Sequence, residues 1–230
     1  MFDRLKKAFS KDAPSLFGNA AAVPQADLAE WAKPLGYALA VSDSGRLRSL
    51  TGKVMDRPWR LDIGPSTRSF IRGDEIRARA EAGINEDVAV LVMNRPLKVA
   101  LEKQAYSLYT DSLQTTADPS LPEEMRWLAM YEEFGWDALP RNFWDRYSVM
   151  GDQRETAIAL VTQELADMMM DWPEDAHSAE VPFLLMLLRG KVYLRMEYSP
   201  SALSTLQHGT KVFLGACESA IGGLSTDIAL

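Results

Sequence analysis

At 230 residues, with 47% hydrophobic and 25% charged side chains, the chain can bury a sizeable core without staples and lies outside the composition of disordered proteins. Its longest apolar runs, Val88 to Met93 and Phe183 to Leu188, are each about six residues, far short of the roughly 20 that cross a bilayer, and its N-terminus lacks the apolar stretch of a secretory signal. A net charge of −7, with the bases concentrated at the N-terminus, argues against nucleic acid as a partner of the body.

Residues 1–11 carry Arg4, Lys6, Lys7 and Lys11 against Asp3 alone, and Phe2, Leu5 and Phe9 recur at helical spacing. They predict a short basic amphipathic helix, too short to be stable in isolation. Asp12 to Pro24 is small and polar, with Pro14, Ser15, Gly18 and Asn19, and reads as a linker. The organisation expected is therefore a tethering segment over 1–24 and a body over 25–230, which divides into candidate lobes at 25–118 and 119–230.

Along the body, Asp27–Lys33 predicts a helix stopped by Pro34, and Tyr37–Val41 a strand ending at the turn residues Ser42 to Gly45. Trp59, Leu61 and Ile63 alternate with Arg60 and Asp62, the period of a half-buried strand, ended by Gly64 and Pro65. Asp74–Ala82 also alternates, but its arginine, glutamate and alanine favour a helix, and a helix is expected there. Val88–Met93 predicts a buried strand. Pro96 opens a helix whose stripe is Leu97, Leu101, Ala105 and Leu108. After Pro119 an aromatic-rich stretch predicts a pair of helices split around Gly135 to Pro140.

Gln153 to Asp171 predicts one long helix with Ile158, Val161, Leu165 and Met168 inward. Phe183–Leu188 and the alternating run from Val192 to Tyr198 predict a hairpin turning at Arg189 and Gly190. Ser199 and Pro200 then introduce a last helix running to Gly222 and Gly223. The fold class expected is α+β, with a mixed or mainly antiparallel sheet built from hairpins and flanked by helices. The order Gly-Lys-Val then Pro-Ser occurs at Gly52 to Ser66 and again at Gly190 to Ser201, so related lobes are one reading and chance likeness of ordinary hairpins the other.

Chemical motifs are sparse. Gly45 to Lys53 lacks the spacing of a phosphate loop, and no dinucleotide fingerprint, nucleophile elbow or zinc-protease motif occurs. Cys217 falls on the apolar stripe of the last helix, as a small buried hydrophobe would, and His208 falls off it, as a solvated or edge residue would. No cofactor is expected. His177 with Asp171, Glu174 and Asp175 offers oxygen and nitrogen donors at irregular spacing, the basis of a carboxylate or metal-dependent enzyme reading.

Two groups of residues suggest binding instead. Glu164, Asp167 and Asp171 share a helical face and repel one another, so they form either a solvated face or a docking face for a basic partner. Trp127, Tyr131, Trp136, Trp144 and Tyr147 pack inward or line a small apolar-ligand pocket. The leading expectation is a non-enzymatic, cytoplasmic interaction or adaptor protein. Its partner is another protein or a second copy, with weak peripheral membrane contact through Phe2, Leu5, Lys6, Lys7 and Phe9.

Overall fold

A computed structural model describes residues 23–111, 123–173 and 180–224. In chain order their elements are α1 (Gln25–Ala32), β1 (Ala38–Val41), β2 (Arg48–Val54), β3 (Arg57–Pro65), β4 (Asp74–Glu81), β5 (Val90–Asn94), α2 (Arg95–Asp111) and α3 (Glu123–Met130). There follow β6 (Glu132–Phe134), α4 (Arg141–Arg146), β7 (Tyr147–Gly151), α5 (Arg154–Leu160), α6 (Gln163–Met170), β8 (Phe183–Leu188), β9 (Lys191–Glu197) and α7 (Leu203–Leu224). The strands form one nine-stranded antiparallel sheet, ordered β1-β2-β3-β4-β9-β8-β5-β7-β6, with these helices packed against it. This is the α+β fold that the hairpin patterning predicts. No helix among the described residues is long and apolar enough to cross a membrane.

The hairpins β2–β3 and β8–β9 turn on residue pairs with positive φ throughout: Met55 at 46°, Asp56 at 62°, Arg189 at 53° and Gly190 at 71°. Such turns match the right-handed twist of the flanking strands, which outweighs the cost of the left-handed region for the non-glycine residues. β9 pairs with β4 on one side and with β8 on the other, so a single sheet runs through residues on both sides of position 118.

The helix expected at Asp74–Ala82 is a strand. It lies between β3 and β9, where Ile76, Ala78 and Ala80 enter the core and Arg77 and Arg79 point the other way; burial on a pleated surface overrides helix propensity. Tyr147, expected on a helical face with Phe143, instead opens β7, all of whose residues are buried between β5 and β6. The long helix expected from Gln153 breaks at Val161, and Thr162 caps α6 by accepting a hydrogen bond from the Leu165 amide at 3.2 Å. Both pieces pack on α7, but Ile158, expected inward, is exposed: Ala157 and Leu160 carry the packing of α5, and Leu165, Ala166 and Met169 that of α6. Gly223 of α7 comes close enough to α5 that a Cβ there would lie 3.1 Å from the Ala159 carbonyl oxygen.

Apolar residues cover the two sheet faces unequally. On one face Trp59, Leu61, Ile63, Ile76, Leu194 and Met196 form a continuous core with Leu206, Phe213, Ala216 and Cys217 of α7 and with residues of α1, α4, α5 and α6. Burial raises the Cys217 thiol pKa well above the ordinary range, as befits the buried hydrophobe expected there. On the other face Leu91, Met93, Met150, Leu184 and Met186 pack against Leu97 and Leu101 of α2, Trp127 of α3, and Phe70 and Ile71 of the β3–β4 connection. Among the described residues that apolar layer lies over the β8-β5-β7 half, while Thr67 of the β3–β4 connection closes over Glu75 on the other.

His208, expected at a solvated edge, is 8% exposed. The buried face of α7 is broader than a single stripe and sets the imidazole 4.4 Å from the Trp172 ring, with Nε2 2.7 Å from the Met168 carbonyl oxygen. Burial depresses its pKa; the Met168 carbonyl opposes this, Lys211 and Arg146 add to it, and Asp171 opposes it. The unfolded chain therefore takes the proton first as pH falls. The neutral ring's contribution to stability is complete above about pH 6.5 and is lost as pH drops through the lower folded value. Denaturant titrations across this window are expected to show a steeper loss of stability for the wild type than for His208→Gln.

Val23 is also buried, and its carbonyl oxygen accepts a hydrogen bond from the buried Arg48 Nη1 at 2.8 Å. A chain starting at Ala22 is expected to melt like the full protein. One starting at Gln25 strands the Arg48 guanidinium and should lose about 1.5–3 kcal/mol by chemical denaturation.

Candidate functional site

Phe2, Leu5, Lys6, Lys7 and Phe9 lie outside the described residues, as do Glu174, Asp175 and His177. Glu164, Asp167 and Asp171 are all exposed on α6 and at its C-terminal end, and the Gln163 side chain donates to Asp167 Oδ1 at 2.8 Å. The break at Val161 puts Glu164 in the first turn of α6, where the helix dipole favours an anion. Among the described residues no group of three or more His, Cys, Asp or Glu side chains could hold a metal ion.

The aromatic residues singled out in the sequence fall on both faces of the sheet. Trp127 and Tyr131 belong to the α2–α3 side. Trp136, Trp144 and Tyr147 belong to the main core, where Trp136 meets Trp144 edge-on at 4.8 Å and Phe143 bridges Trp144 and Tyr147. The Tyr147 hydroxyl donates to the Met169 carbonyl at 2.9 Å and accepts from Trp172 Nε1 at 3.3 Å. A cleft of about 460 Å³ opens nearby between α2, α4 and the end of α6, lined by residues including Arg95, Val99, Asp145, Arg146 and Met170, and none of these aromatics lines it.

The most distinctive polar arrangement lies on the polar half of the second sheet face. There β2, β3, β4 and β9 present alternate residues away from the core, and their register aligns them in rows across the strands. One row runs Ser49, Asp62, Arg77, Arg195; the next runs Thr51, Arg60, Arg79, Tyr193. Both rows set arginine directly opposite arginine, an arrangement that disfavours pairing.

The first row is neutralised from within. Glu75, fully buried, places Oε1 2.5 Å from Arg195 Nη1 and Oε2 3.7 Å from Arg77 Nη1. The Thr67 amide and hydroxyl each donate to Glu75 Oε2 at 3.0 Å, so the carboxylate's remaining lone pairs are used. Asp62 Oδ1 accepts from the Ser49 hydroxyl at 2.5 Å and from Arg60 Nε at 2.9 Å.

The second row has no carboxylate of its own. Arg60 reaches across to Asp62, while Arg79 is exposed and has no ion-pair partner among the described residues. Next along β4, Glu81 pairs with Lys191 at 3.0 Å. Alternation in the sequence gives Arg60 an outward place, but Arg77 and Arg79 are missed because a helix is expected at Asp74–Ala82. The signal available was its alternation, which places Arg77 and Arg79 on one strand face.

Replacing Arg79 by glutamate converts a like-charged cross-strand pair into an opposite-charged one. Arg79→Glu is expected to raise stability by up to about 1 kcal/mol in thermal or denaturant unfolding. Glu75→Gln should instead lower it by about 3 kcal/mol, because the buried partner of Arg195 loses its charge.

No protein-family model matches the chain, and no curated protein matches it. Among solved structures, the crystal structure of the mycobacterial trehalose monomycolate transport factor A, TtfA, resembles it with a TM-score of 0.47 at 9% identity, over 84% of this chain and 91% of that one.

Proposed function

We propose that this is a non-enzymatic interaction protein, an adaptor whose body docks a protein partner on the polar half of the second sheet face and whose basic N-terminal segment tethers it to an anionic surface. The observation that carries the reading is the uneven covering of one sheet. Over β8, β5 and β7 the second face is apolar and roofed by α2 and α3; over β2, β3, β4 and β9 it is polar, and among the described residues the apolar layer does not extend across it. An antiparallel sheet tolerates water on one face, but a solvated face has no need of arginines set opposite one another. A surface that retains such a pair against its own stability is suited to a partner that relieves it.

The tether follows from residues 1–11. Phe2, Leu5 and Phe9 provide apolar area for a lipid interface, and each nearby base contributes roughly 1 kcal/mol beside anionic headgroups. One short segment gives weak, reversible attachment that salt screens. The protein partner and the lipid surface engage different parts of the chain, as an adaptor requires.

Co-sedimentation with phosphatidylserine/phosphatidylcholine vesicles tests the tether. The full chain is expected to pellet at low salt and to be released as salt rises, while a chain starting at Ala22 stays in the supernatant. Both chains remaining in the supernatant at low salt would end the membrane reading. Equal pelleting of both would move the lipid contact onto the body.

A further inference from the structure

We propose that the β3–β4 connection, residues 66–73, is a proton-operated clasp: it is held closed over Glu75 and Glu197 when Glu197 is protonated and opens as Glu197 ionises. The connection spans the two halves of the second sheet face. The Thr67 amide and hydroxyl hold Glu75, Arg68 Nε lies 2.8 Å from Glu124 of α3, and Phe70 and Ile71 enter the apolar layer. At its far end the Arg72 amide donates to Glu197 Oε2 at 2.8 Å. The Ser66 amide closes its neck on the Gly73 carbonyl at 3.2 Å, and Gly73 turns the chain into β4 with φ at 70°. Only Phe70 and Ile71 within it are buried, so polar contacts decide how firmly the rest is seated.

The register of β4 and β9 sets a carboxylate against a carboxylate beneath this connection. Glu75 stands directly opposite Glu197, and both lie on the polar face. Glu75 is fully buried, and Arg195 and Thr67 meet its charge. Glu197 is half-buried and has no ion-pair partner among the described residues. The charged groups around it are Arg72 on the connection, Glu75 on β4 and Arg195 on its own strand; Asp74 lies on the opposite face, beside Tyr198. From the chain before β8 comes only the Pro182 carbonyl, which accepts from the Glu197 amide at 3.0 Å. Arg195 is committed to Glu75 and Arg72 is exposed, so the closed connection strips water from an ionised Glu197 and returns one amide.

Burial accordingly raises the pKa of Glu197, against the opposing pull of the Arg72 amide and charge. The closed form binds the proton more tightly than an open form in which water reaches the carboxylate. Protonation's contribution to closure is complete below the ordinary glutamate value of 4.5 and is lost as pH rises through the raised one. Opening uncovers Glu75 and Arg195 and withdraws Arg68 from the buried Glu124, so one carboxylate on β9 is coupled to the helices that roof the other half of the face. The switch needs no partner.

Hydrogen exchange of the full chain from about pH 4.5 to 7.5, with each amide corrected for its intrinsic rate, tests the clasp. Protection of the Thr67 and Arg72 amides is expected to fall together, several-fold relative to the β4–β9 ladder, as pH rises. Glu197→Gln keeps an oxygen for the Arg72 amide and has no charge to gain, so both amides are expected to stay protected throughout. An equal fall in Glu197→Gln and wild type would overturn the role of Glu197. A fall at Arg72 alone would reduce the effect to one hydrogen bond and overturn the clasp as a unit. Wild-type protection that is flat or rises with pH would overturn the linkage of closure to protonation. Arg72→Ala leaves the amide and removes an exposed cation, and it keeps the test open if Glu197→Gln does not fold. It is expected to move the fall at Thr67 to higher pH, and an unmoved fall would overturn the role of Glu197 as well.

Discussion

The pairing of β4 with β9 is the constraint on which the rest of the molecule depends. It aligns Glu75 with Glu197 and Glu81 with Lys191 across more than a hundred residues of chain, and it joins the β1–β4 meander to the β5–β9 strands in one sheet. Closing so long a loop is entropically unfavourable, but the cost grows only with the logarithm of its length. The ladder offsets it by placing Ile76, Ala78 and Ala80 against α7 with Val192, Leu194 and Met196 alongside. The same register brings Arg77 opposite Arg195 and makes the buried Glu75 necessary, so the arrangement of this polar face is a consequence of how the core closes.

Legibility in the sequence varied with how many faces of an element are constrained. Strands with one wet face, such as β3 and β9, show clean alternation and were read correctly, as were α1, α2 and the greater part of α7. β4 was misread because its outward residues, Arg77 and Arg79, and its inward alanines are all good helix formers; the decisive influence was its position between β3 and β9, which no local property records. The break between α5 and α6 was hidden because both pieces bury apolar residues against the same helix, so only the capping role of Thr162 distinguishes one helix from its division in two. A single apolar stripe puts His208 outside, whereas α7 is buried over a wider arc that includes it.

The candidate site was less legible than the fold for a related reason. The Arg60–Arg79 pair exists only once β3 and β4 are in register, and the sequence places these residues nineteen positions apart with nothing between them to mark a relation. The acidic residues Glu164, Asp167 and Asp171 are visible as a group because they lie within α6 and at its C-terminal end, a few residues apart, and all three are exposed. Local groupings are visible in a sequence; cross-strand groupings have to be built.

The double-sided burial of β5 and β8 bears on how the chain must be made as well as on what it becomes. Phe183 to Leu188 is apolar at every position, buried from both sides, and flanked on its open neighbours only when β5 and β9 have both arrived. Before then it is a short, uncharged, β-prone segment of the kind that self-associates into cross-β stacks. Pro182 before it and Arg189 after it stand where gatekeepers against such stacking are placed: the proline withholds an amide, and the arginine adds charge at the turn. Selection at these positions would then act on the nascent and refolding chain, and their replacement would show first in yield and aggregation, with the finished structure little changed.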